Sequence, residues 1–261
     1  MVRRFAGDDP RHIVVLAALQ APRRRRFGGP RKRRADPAAA LVEVTRATVI
    51  DAGGLADQAA ADAWLDRVAG AGAAATQAEA LAVLDHALHA HRVAAADPFA
   101  MDVSPAAVLG TRVGYGTGQE VADGRWTAAR ELPRPPRSVA REHALRPQER
   151  IAALLSGRDV ALAAELLALR ARLDLDHGRT REAALQLEAA LAAACEELRG
   201  WAELPGMPAR LAELEGHRTG VAGAAQAART GVLDEPGVTA VRTALERLEA
   251  ALRARTAAAQ F

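Results

Sequence analysis

From Pro147 to the end of the chain, leucine and alanine recur at helical spacing with few breaks, and this repeat limits the fold more than any other feature. Leu162, Leu166, Leu169 and Leu173 form one such stripe. Leu187, Leu191, Ala194 and Leu198 form a second, and Val238, Val241, Leu245, Leu248 and Leu252 a third. Apolar residues three and four apart share one helix face, so each stripe predicts an amphipathic helix. Helices are expected over 148–155, 159–176, 181–199, 208–216, 220–230 and 237–256, with Gly178 and Gly200 placed as C-terminal caps. Alanine supplies about half of the 50% apolar content, and aromatic residues only 3%. Alanine has the best helix propensity but buries little area, so the profile favours closely packed helices over β layers.

The first half reads differently. "LVEVTRATVI" (41–50) is rich in β-branched residues and precedes Gly53-Gly54, which predicts a strand. Two helices follow. One runs near Asp57–Ala69 with Trp64, Leu65 and Val68 inward; the other opens at a Thr76/Glu79 capping box and carries Leu81, Leu84 and Leu88. "VLGTRVGYGTGQEVADGRWTAAREL" (108–132) fits a glycine-punctuated β-hairpin, open to pairing with the 41–50 strand. "ELPRPPRSVAREHALRP" (131–147), with four prolines, reads as a linker. The expected fold is therefore mainly α. A small α+β region, one strand plus a β-hairpin with two helices, spans 41–133; a Pro-rich linker spans 134–147 and an Ala/Leu-rich helical bundle 148–261.

Charge is divided unevenly. Residues 1–34 carry a net +9 and the remainder −6, which gives the overall +3. Arg23, Arg24, Arg25, Arg26, Arg31, Lys32, Arg33 and Arg34 make eight basic side chains in twelve positions. Such a block can bind polyanions by releasing counterions, though with Phe27 alone among them it has little for base stacking. Lys32 is the only lysine and asparagine is absent, a pattern of GC-rich coding that makes part of the arginine excess compositional. Residues 1–40 are expected to lack order. They also match what translation upstream of a true start would produce, with Val42 as the initiating codon.

Several chemistries are excluded on simple grounds. With Lys32 the only lysine, a P-loop, a lysine-dependent kinase site and a lysine Schiff base elsewhere in the chain cannot be built. Gly114, Gly116 and Gly118 lack the third glycine of a dinucleotide fingerprint, because Gln119 stands there. Glu120 and Asp123 read as solvated loop acids, and no G-x-S-x-G elbow surrounds Ser104 or Ser156. Asp85, His86 and His89 lie within one helical turn or so and are weak candidates for metal ligation, or for a histidine base oriented by Asp85. No cofactor is implied. Cys195 is the only cysteine and reads as a small core residue; with no export signal, the chain is expected to be cytoplasmic, without a membrane span.

"GRTREAALQLEAAL" is similar to the second half of a tetratricopeptide repeat, with Gly178, Ala183, Leu187, Ala190 and Leu191 at matching spacings. The first half departs at Arg170, Ala171 and Asp174, and no second copy follows 34 residues on. The resemblance implies a helical hairpin over these residues. No complete catalytic motif is present, so the expected function is a non-enzymatic protein–protein interaction or scaffold role. Self-association or a protein partner could use the stripe Val238, Val241, Leu245, Leu248 and Leu252. A nucleic-acid-associated protein acting through residues 23–34 is the second reading, and an enzyme or metalloprotein centred on Asp85, His86 and His89 the third.

Overall fold

The computed structural model describes residues 11–19, 44–134 and 147–258, and the chain divides into two compact units, Met1–Pro135 and Pro136–Phe261. The fold is mainly α with a small α+β region in the first unit. No described helix is long and apolar enough to cross a membrane.

The first unit corrects the expectation of disorder over 1–40, because His12–Leu19 is strand β1. It pairs antiparallel along its whole length with β2, Val44–Asp51, from His12↔Asp51 to Leu19↔Val44. "IVVLAAL" has β-branched and apolar residues on both faces, which suits a strand, and an ion pair from Arg11 to Asp51 closes the end of the ladder. Helix α1, Gln58–Ala69, is capped by Asp57, whose carboxylate accepts the Ala60 N–H at 2.8 Å. Helix α2 runs Ala73–Ala95 and so begins a turn before the expected cap. Thr76 lies inside it and donates to the carbonyls of Gly72 and Val68, because Ala73–Ala75 propagate the helix ahead of it. Strands β3, Thr111–Tyr115, and β4, Ala128–Leu132, make the expected hairpin, but in a sheet of their own. β2 does not join it, since β1 is its partner. The glycine cluster is structural: a Cβ on Gly114 would stand 2.5 Å from the Ala128 carbonyl, and Gly118 has φ +62°.

The second unit is a helical bundle with α3 (Pro147–Leu155), α4 (Ala163–Asp176), α5 (Thr180–Glu197), α6 (Met207–Thr230) and α7 (Glu235–Ala258). Helices α4 to α7 pack each on the next, and α7 returns to contact α4 and α5. The three-residue connection His177–Arg179, with Gly178 at φ 72°, turns α4 back against α5, the hairpin that the repeat-like segment implies. Ala183, Leu187, Ala190 and Leu191 are all buried there. The expected helices 208–216 and 220–230 are one helix, α6. Gly216, Gly220 and Gly223 cost about 1 kcal/mol each against alanine, but all three face solvent. Met207, Leu214, Val221 and Ala228 carry a buried stripe straight past them. Tertiary packing outweighs the local propensity.

Candidate interaction surface

Helix α4 is apolar on two opposite faces. Ala164, Ala168, Ala171 and Leu175 are buried with Ala183, Ala184, Leu187 and Ala190 in the bundle core. The expected leucine stripe faces the other way: Leu166 is 53% and Leu169 68% exposed, and only Leu162 at the N-cap is buried. Alanines let α4 lie close against α5, and fixed polar anchors set its rotation. Asp174, buried on the alanine side, accepts from Arg179 Nε at 2.5 Å and Gln186 Nε2 at 2.5 Å. Arg172 donates through Nε to Glu249 of α7 at 2.8 Å. Leu166 and Leu169 are left exposed on the outer face, with Leu173 half-buried beyond them.

The N-terminal end of α4 is held by buried charge. Glu197 of α5 accepts the N–H groups of Ala163 and Ala164 at 3.0 and 3.1 Å, and Glu165 accepts that of Leu162 at 3.0 Å. A carboxylate at a helix N-terminus satisfies orphan donors and complements the helix dipole. Arg255, near the end of α7, is 2% exposed. It donates through Nη2 to Asp159 Oδ1 at 2.5 Å and to the Val160 carbonyl at 3.2 Å, and its guanidinium lies 4.6 Å over the Trp201 ring. Arg150 of α3 donates to Asp159 at 3.1 Å and Glu165 at 2.6 Å. Two guanidiniums thus balance two carboxylates. Burial pushes the Asp159 carboxyl up, but hydrogen bonds from Arg150, Arg255 and the Val160 N–H outweigh it and hold the pKa below the usual carboxylate value. The cluster is a set of mutually paired charges. It anchors α3, which makes no extended packing with any other element among the described residues, and whose Ile151 and Leu155 are exposed.

The residues singled out from the sequence lie elsewhere. Asp85 is buried on α2 and accepts the Val103 N–H at 2.7 Å, tying the segment after α2 back onto the helix. His86 and His89 are half-buried on the same helix. Among the described residues, no three His, Cys, Asp or Glu side chains stand close enough to hold a metal ion. Arg23–Arg26 and Arg31–Arg34 lie outside the described residues, between β1 and β2. The α7 stripe is corrected as a partner surface: Val241, Leu245, Leu248 and Leu252 are buried in the bundle's own core and Val238 packs against it. Cys195 is buried there too; burial, then a hydrogen bond with Glu215, pushes its thiol pKa up, which suppresses the reactive thiolate. The α4 leucine face was visible in the sequence as a stripe, but its direction was not. No protein-family model, curated protein or solved structure matches the chain.

Proposed function

We propose that the chain is a non-enzymatic protein–protein interaction module in which the helical bundle is a rigid platform and α4 docks a partner protein's helix. The observation that carries this reading is the outward leucine face, Leu166 and Leu169, opposite a buried alanine face on the same helix. A row of leucines at i and i+3 matches the apolar stripe of an amphipathic helix laid along it. Leaving such side chains in water forgoes about 1.5–3 kcal/mol each, which a docked helix recovers. The single, buried cysteine supports a cytoplasmic setting. The test compares the tagged full chain with a Leu166→Glu/Leu169→Glu variant in extract of the source cell. A protein retained by the first, lost by the second and kept by an Arg170→Glu control is expected; equal retention by all three overturns the reading.

A second reading has one specific observation in its favour. Residues 20–43, with eight basic side chains, connect the paired ends of β1 and β2, so the arginine block is tethered at both ends rather than being a free terminal arm. As a polyanion-binding loop it gives affinity that falls by about 0.7–0.9 log units per log of salt for each phosphate contacted. Titration of the full chain with duplex DNA and single-stranded RNA at several salt concentrations tests it. Binding that survives replacement of Arg23–Arg26 and Arg31–Arg34 by glutamine would rule it out.

A further inference from the structure

Helix α3 buries little of itself. Pro147, Gln148, Glu149, Ile151, Ala152 and Leu155 are exposed, Arg150 and Leu154 are half-buried, and Ala153 is fully buried. A helix of nine residues is marginal in water by itself, and one alanine with part of a leucine adds little buried apolar area. What holds α3 in place is therefore chiefly Arg150. Its Nε donates to Asp159 Oδ2 at 3.1 Å and its Nη2 to Glu165 Oε1 at 2.6 Å.

Both carboxylates have other partners outside α3. Glu165 uses its second oxygen, Oε2, to accept the Leu162 N–H. Asp159 uses Oδ1 for Arg255 Nη2 and, at 2.8 Å, for the Val160 N–H. Arg255 Nη1 also stands 3.4 Å from Asp159 Oδ2 and 3.8 Å from Glu165 Oε1, the two oxygens that Arg150 engages. Withdrawal of Arg150 thus leaves neither carboxylate without a cation, and the departing guanidinium gains water. Arg255, only 2% exposed, has no such exit. The Glu197 carboxylate continues to cap Ala163 and Ala164, whatever the position of α3. The chain also has a pivot just beyond α3: Gly157 lies at φ +73°, with open space where a side chain would stand.

We propose that α3 is an ionic strap, with Arg150 as its catch, that swings off the bundle about Gly157 while α4 to α7 stay folded. Segments with little buried apolar area open locally, at free energies well below that of global unfolding. The position of the strap changes the surface of the bundle. Closed, this end presents Ile151 and Leu155, 55% and 85% exposed, on a helix. Open, it presents Asp159 and Glu165 with Arg255 alone between them, one positive charge against two negative. The strap switches this end from apolar to acidic, and it does so independently of any partner on the α4 leucines.

Hydrogen exchange of the full chain, read on peptic fragments, tests this. The Ile151–Leu155 amides are expected to exchange roughly a hundredfold or more faster than those of α5, yet more slowly than an unfolded segment. Arg150→Gln removes the charge and is expected to speed exchange in α3 by about tenfold or more, leaving α5 and α6 unchanged. Arg150→Lys, which keeps the charge without the forked donor, falls between the two. Ala152→Gly, exposed and outside the catch, speeds α3 by about fivefold, the factor that glycine's helix penalty corresponds to. Amides of α3 that exchange only in step with α5 overturn the proposal, as does an Arg150→Gln chain in which α3 is unchanged. Acceleration spread equally over α3, α5 and α6 in Arg150→Gln overturns it too, because the arginine would then support the whole bundle.

Discussion

At the scale of single residues, Arg255 carries the most consequence. A guanidinium that is 2% exposed is tolerated because Asp159, the Val160 carbonyl and the Trp201 ring surround it, although its Nε is buried without a hydrogen-bond partner. Removing one member of a buried ion pair leaves the others uncompensated, at a cost of about 3–5 kcal/mol. Arg255→Ala is expected to lower the urea-unfolding free energy of the second unit by that amount; a loss below about 1 kcal/mol would show that water reaches the cluster. The pH dependence follows from Asp159. Its folded pKa is depressed, so its contribution is present above the unfolded carboxylate pKa and lost as pH falls through the folded value. Stability of the bundle should therefore drop in acid, with a shallower slope in Asp159→Asn, when urea midpoints are measured from pH 7 downward. None of this was legible in the sequence. Arg150, Asp159, Glu165 and Arg255 are spread over more than a hundred positions, and no local pattern distinguishes a buried arginine from the many that face water.

At the scale of elements, helix existence was easy to read and helix rotation was not. The stripes of α5 and α7 point inward as their leucines imply, because those helices have neighbours on the leucine side. For α4 the same logic failed. Its alanines, which hydrophobicity ranks below leucine, permit the close approach to α5, and the Asp174 and Arg172 anchors fix that rotation. The face assignment predicts opposite sensitivities. Leu166→Glu and Leu169→Glu, at exposed positions, should change stability by no more than about 0.5 kcal/mol, whereas Ala168→Leu or Ala171→Leu overpacks a filled core and costs about 1–3 kcal/mol. Thermal unfolding of the four variants checks this, and the reverse order would mean that the leucines face the core. In α6, the three glycines misled because propensity is local while the Met207–Ala228 stripe that holds the helix together is not. Gly216→Ala, exposed within the helix, should stabilise by about 0.5–1 kcal/mol.

At the scale of the whole molecule, the two units carry different kinds of surface. The first carries a two-stranded ribbon, β1 on β2, and the basic block lies in the sequence between these strands. The second has a closed core with an outward leucine row. Strand β1 is hard to read from the sequence because its eight residues stand beside an arginine block of GC-biased composition, although "HIVVLAAL" alone suits a strand. It also bears on where translation starts. A chain beginning at Val42 would lack the one partner that β2 has among the described residues, so deletion of residues 1–40 should destabilise the first unit and leave the unfolding of the second unchanged.

The account depends most on α4 presenting leucines to solvent while packing alanines inside. Side-chain footprinting of the purified full chain measures this directly, by comparing carbene labelling at Leu166 and Leu169 with that at Leu187 and Leu191 on α5. Labelling of the first pair many-fold above the second is the predicted result. Equal protection of all four leucines would contradict the account, because α4 would then have no free apolar face to offer a partner.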